Sequence, residues 1–110
     1  MKQGEIWLAN LNPGKGSEQK GLRPVAIISG NILNQYLPIV IVCPLTSKIK
    51  NYKGNLVITP DKQNGLIEPS EILTFHIRSI SKDRLVSKFG SLKQEQISVV
   101  KKGLDDILRY

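Results

Sequence analysis

The sequence predicts a mainly β fold with some α structure: a small, partly open barrel or curled sheet carrying one C-terminal helix. Three observations predict it. Six short β-rich runs, separated by clusters of Gly, Pro, Asn and Asp, fill the first ninety or so residues. The hydrophobic period then changes to three and four residues near the C-terminus. The chain has 110 residues, which suits a single domain over 1–110. A domain of that size buries roughly two thirds of its unfolded surface.

Gly4 to Asn10 reads as a first strand, ended by the turn formers Asn10-Leu11-Asn12-Pro13-Gly14. Residues 13–22 form a loop with three glycines, long for a plain hairpin, and ordered loops of that length are often functional. Arg23-Pro24 opens a second strand running from Val25 to Ser29, whose near-continuous apolar character implies burial on both faces. A short irregular or single-turn segment covers 30–37. Ile39 to Leu45 is a third, deeply buried strand in which Pro44 marks an interruption of the ladder. Leu56 to Thr59 is a fourth, Glu71 to Arg78 a fifth, and Leu85 to Phe89 a sixth. Ile97, Val100, Leu104 and Ile107–Leu108 then share one helical face, with Ser91 and Gln94 spaced as a capping box. Gly103 weakens that helix by about 1 kcal/mol relative to Ala, which implies close packing there.

Composition narrows the function. The longest apolar runs fall far short of the roughly 20 residues of a membrane-crossing helix, and no leader segment is expected at the N-terminus. The lone Cys43 sits in an apolar run and reads as a small core residue in a reducing cytoplasm. The net charge of +7 is unevenly spread: residues 25–45 carry none, 46–62 carry +3 and 76–94 carry +4. Basic excess concentrated around Lys48, Lys50 and Lys53, and around Arg78, Lys82, Arg84 and Lys88, suits a polyanionic partner. No basic amphipathic helix points to a membrane surface.

A metal site is not expected. One His and one Cys are available, Glu68 and Glu71 have no imidazole or thiol beside them in sequence, and Asp105–Asp106 fall on the polar side of the last helix. Gly14-Lys15-Gly16 lacks the ending of a phosphate-binding P-loop, and no nucleophile elbow accompanies His76. What remains is a charged and hydrogen-bonding set: Glu18 and Gln19 in the long loop, Arg23 where that loop meets a strand, and Thr46-Ser47 at a strand end.

These residues lie in recognisable motifs. Gly4-Glu5-Ile6-Trp7, Leu11-Asn12-Pro13, Gly16-Ser17-Glu18-Gln19-Lys20-Gly21-Leu22-Arg23-Pro24-Val25 and Pro44-Leu45-Thr46-Ser47 occur in order. Ile77-Arg78-Ser79-Ile80, Arg84-Leu85 and Gly90-Ser91-Leu92 follow. With them the chain resembles the MazF/PemK family from Gly4 to about Leu108. The resemblance implies a dimeric SH3-like barrel, a toxin that cuts single-stranded RNA selectively without metal or cofactor, and a cognate antitoxin. Association with DNA would come only through the antitoxin complex.

Arg23 and Thr46 match the family's catalytic pair. RNA supplies its own nucleophile, the 2′-OH, so the protein has to move protons and stabilise a dianionic phosphorane. The planar, permanently charged fork of Arg23 suits the second task, and the Thr46 hydroxyl can donate to the same phosphate. Glu18 is the candidate base, with anchoring of the loop or an ion pair to Arg23 as its alternative roles. Substrate binding is expected to involve Lys15, Ser17, Gln19, Lys20, Ser47, Lys48, Lys53, His76 and Arg78. His76 reads as a contact to an unpaired base, a satisfied structural histidine or a catalytic group; if it faces the RNA, Phe75 points inward, and Trp7 is placed in the core. Where family branches carry a carboxylate or an arginine just ahead of Ile77-Arg78, this chain has Leu73, Thr74, Phe75 and His76. A non-catalytic RNA-binding barrel and a gyrase-directed toxin on the same fold are the alternative readings of the same surface.

Overall fold

β-Branched and aliphatic runs bounded by turn formers become seven strands in the computed structural model, which describes residues 1–14, 16 and 19–109. They are β1 (Glu5–Asn10), β2 (Leu22–Ile27), β3 (Ile39–Thr46), β4 (Leu56–Ile58), β5 (Ser70–Ile72), β6 (Arg78–Ser81) and β7 (Leu85–Ser91). A short helix α1 (Asn31–Tyr36) joins β2 to β3, and α2 (Gln94–Ile107) follows β7. The antiparallel sheet runs β4-β5-β3-β2-β1-β7, and β6 adds to the outer edge of β3.

β3 is the hub because two strands share one of its edges. Its first half, Ile39–Val42, pairs with β6, while Leu45 and Thr46 pair with β5. The hand-over falls at Cys43 and Pro44, where proline has no N–H to give; its carbonyl accepts from the Leu73 N–H at 2.9 Å. Pro44 therefore sits at the expected interruption.

Both faces of the central strands are packed, as their unbroken apolar runs require. Ile6, Ala26, Cys43, Leu45, Ile58 and Ile72 form one cluster with Ile97 and Val100 of α2. Ala9, Leu11, Val25, Ile27, Val40, Val42 and Ile80 form the other, with Trp7 packed against it. Burial pushes the Cys43 thiol up to about 12, so it is an inert core group.

Three expectations are corrected. The single strand expected over Glu71–Arg78 is two strands separated by a 3₁₀ turn, Thr74–His76. Thr74 donates both its N–H and its hydroxyl to the Asn55 side-chain oxygen (3.3 and 2.7 Å), which draws it out of the ladder. The Ser91–Gln94 capping box is absent because Ser91 still belongs to β7, opposite Glu5. Gln96 caps instead, its side-chain oxygen accepting from the Lys93 N–H at 2.8 Å. Ile107 and Leu108 are exposed, since the helix face touching the core ends at Leu104. Gly103 does pack closely: a Cβ there would lie 3.0 Å from the Gly54 carbonyl oxygen and 3.6 Å from the Thr74 methyl.

Candidate active site

The register of two strands builds the centre of the site. β2 and β3 pair with Val25 opposite Pro44. The ladder ends there; Arg23 lies two residues before Val25 and Thr46 two after Pro44, so strand alternation gives both the same face as that last pair. Both residues line one cleft of about 680 Å³, together with Gln19, Lys48, Lys50, Tyr52, Leu73, Phe75 and His76. Arg23 also borders a second, more apolar cleft of about 410 Å³, whose walls include Leu22, Leu45, Ser47, Leu66, Ile67 and Phe89.

Among the described residues, each of the central pair is held on one side only. The Arg23 Nε donates to the Lys20 carbonyl at 2.9 Å, which aims the rest of the guanidinium without consuming its terminal donors. The Thr46 hydroxyl oxygen accepts from the Lys48 N–H at 3.1 Å, so its proton remains to be donated.

The cleft has two walls. One is the loop after β3, bringing Lys48, Lys50 and Tyr52. The other is the turn carrying Phe75 and His76. Tyr52 meets Phe75 edge to face, with ring centroids 5.3 Å apart, and Phe75 meets His76 at 4.9 Å. The expectation that Phe75 points inward fails for a simple reason. Successive residues of a 3₁₀ turn are about a third of a turn apart rather than on opposite faces, so both rings reach the cleft.

Beneath the first wall lies Glu71, wholly buried in β5 directly opposite Thr46. One carboxylate oxygen accepts from the N–H groups of Lys50 and Asn51, the other from Tyr52 N–H and the Asn55 amide, all at 2.9 Å. Burial pushes this carboxyl up, but the Asn55 amide and the three backbone donors outweigh it and hold the group below the usual carboxylate range.

Of the residues singled out from sequence, Arg23, Thr46, Gln19, Lys48 and His76 meet in the cleft, and Arg78 joins Gln19 and His76 in a small adjoining pocket. Ser47 faces the apolar cleft instead. Lys20 contributes its carbonyl, and the exposed Lys53 lies outside the lining of these clefts. Lys15, Ser17 and Glu18 lie outside the described residues. In the second basic cluster, Arg84 donates to the carbonyls of Asn10 and Asn12, and Lys88 pairs with Glu5 at 3.1 Å, so both serve the fold. Sequence reasoning left out Lys50, Tyr52, Leu73 and Phe75; only the basic run around Lys50 signalled any of them. Among the described residues, no three His, Cys, Asp or Glu side chains gather as a metal site.

Residues 2–108 match the model of the PemK-like, MazF-like toxins of type II toxin-antitoxin systems. The chain belongs to this family. The toxin is 37% identical over 106 residues to an endoribonuclease MazF of Staphylococcus saprophyticus, covering 96% of this chain and 88% of that one. Its fold is similar to a crystal structure of MazF from Deinococcus radiodurans, with a TM-score of 0.81 and 26% identity over 97% of this chain and 94% of that one. A MazE-MazF crystal structure from the same organism has a TM-score of 0.76 at 24% identity, over 98% and 95% of the two chains.

Proposed function

We propose that this toxin is an endoribonuclease that cuts single-stranded RNA, mRNA included, in the cleft shared by Arg23 and Thr46, using the RNA's own 2′-OH and no metal. The observation that carries the reading is that Arg23 and Thr46 line one cleft, beside a wall bearing Lys48 and Lys50. The terminal nitrogens of Arg23 would clamp two oxygens of the scissile phosphate, and the Thr46 hydroxyl would donate to the same group. As the 2′-oxygen bonds to phosphorus, the charge that develops meets donors already in place, which is typically worth several kcal/mol of barrier. The bond to the 5′-oxygen then breaks, its electron pair leaving with that oxygen, which takes a proton from water; the ends are 2′,3′-cyclic phosphate and 5′-hydroxyl. Glu18 is the candidate acceptor of the 2′-OH proton.

Selectivity would come from the walls. Tyr52, Phe75 and His76 offer ring faces on which unpaired bases can stack. Gln19, Ser47 and Arg78, with Ser17 and the basic side chains of Lys15, Lys20 and Lys53, would hold flanking nucleotides.

As a member of a family of type II toxins, it would be neutralised by a cognate antitoxin. The MazE-MazF complex of a structural relative supports a protein partner bound directly to the toxin. An acidic, partly disordered segment is the chemistry that fits this basic cleft. A homodimer in the cytoplasm, meeting DNA only through the antitoxin, completes the reading. Among the described residues, no helix is long and apolar enough to cross a membrane.

The test is cleavage of single-stranded RNA by the purified protein in excess EDTA. Cyclic-phosphate ends are expected, with loss of cutting in a folded Arg23→Ala variant. Full activity of Arg23→Ala would refute the site, and loss of wild-type activity in EDTA would refute the metal-free chemistry.

A further inference from the structure

Glu71 is the one wholly buried carboxylate among the described residues, and the chemistry above makes no use of it. Its surroundings explain why it is there. Asn51 has a left-handed backbone (φ 54°), a conformation Asn tolerates better than most residues. That twist lets three successive N–H groups, from Lys50 to Tyr52, converge on one anion. The anion is the Glu71 carboxylate. A further donor, the Asn55 amide, links it to the opposite wall, because the Asn55 oxygen accepts from Thr74 at the start of the turn bearing Phe75 and His76. Glu71 itself faces Thr46 in the ladder.

We propose that Glu71 is a positioning residue for RNA binding, its carboxylate holding the Lys50–Tyr52 backbone and, through Asn55, the Thr74–His76 turn, so that both walls stand at fixed distance from Thr46. This rests on the RNA-cutting reading for its consequence, though not for its geometry.

Steady-state cleavage of a fluorogenic single-stranded RNA, with amide exchange followed by NMR, tests it on the full chain. Glu71→Gln keeps the shape but replaces one acceptor oxygen by an NH2 group, leaving backbone donors without a partner. The Lys50, Asn51 and Tyr52 amides should exchange roughly tenfold faster while those of β1, β2 and β7 stay protected, and KM should rise by roughly tenfold with kcat less affected. A variant that merely weakened the fold would lower the active fraction, and hence kcat, at constant KM; that result overturns the proposal. Unchanged exchange and kinetics overturn it equally.

Should Glu71→Gln not fold, Asn55→Ala, which cuts only the link between the walls, is expected to give the same KM rise, and an unchanged KM overturns the proposal. If the wild-type protein itself does not cut RNA, the functional reading fails. Amide exchange then decides the role of Glu71 alone, and full protection in Glu71→Gln overturns it.

Discussion

In the proposed reaction Thr46 would do two jobs with one hydroxyl. Its oxygen accepts from Lys48 N–H and so fixes the first residues of the basic loop, while on the proposed reading its proton would go to a phosphate. Thr46→Ser keeps both functions and Thr46→Val neither. Cleavage kinetics should show near wild-type kcat for Ser and a loss of roughly a hundredfold for Val, the scale of removing one transition-state donor; a Val variant with wild-type kcat would remove Thr46 from the chemistry. Arg23 and Thr46 are legible in the sequence because each sits in a specific motif. Glu71 is not. Its donors lie 16 to 21 residues upstream, and three of them are backbone N–H groups that any residue would supply. A carboxylate in a β-rich run carries no mark of such a role.

At the scale of elements, the loop between β3 and β4 depends on the ionised form of Glu71. Because its folded pKa is lowered, the native state binds fewer protons than the unfolded chain as pH falls. The stabilisation is thus complete above the ordinary carboxylate range and is lost as pH drops through the lower, folded value. NMR shifts of the Lys50, Asn51 and Tyr52 amides should therefore hold steady on acidification until below that range, then move together; a midpoint at or above it would contradict the bonding described. Most of the strands are readable from apolar runs and turn formers. The break at Thr74 is hidden, because Leu73, Thr74 and Phe75 all suit a strand and only the side chain of Asn55 decides otherwise. The cap of α2 lies two residues beyond the expected one for a related reason: Ser91 has the right chemistry, but its N–H bonds to the Gln63 carbonyl and its backbone stays in β7.

For the whole molecule, the charge of +7 divides between side chains lining the cleft and side chains paired within the fold. Lys48 and Lys50 stand in the cleft, whereas Arg84 and Lys88 are spent on loop carbonyls and Glu5. Binding of an RNA lacking the 2′-OH at the cut position, measured over a range of salt, should distinguish them. Removing one phosphate-binding cation lowers the salt slope for a single strand by about 0.7, so Lys48→Ala with Lys50→Ala should lower it by about 1.4. Lys101→Ala on α2 should leave it unchanged, and equal slopes for all three would mean that charge acts diffusely. The fold class is legible from period and length; the cleft is not, since it arises where β3 parts company with β6 and takes up β5.

That parting has a parity consequence. Arg23 shares a strand face with Val25 and Ile27, and Thr46 with Pro44, Val42 and Val40, so the pair extends one apolar row of the core to its polar end. A pleated strand turns over with each residue, so inserting or deleting a single residue between Arg23 and Val25, or between Pro44 and Thr46, would send one partner to the opposite face. Only even steps keep the two together. The spacing of two catalytic candidates is thus written in the odd and even positions of buried valines and isoleucines that never touch a substrate.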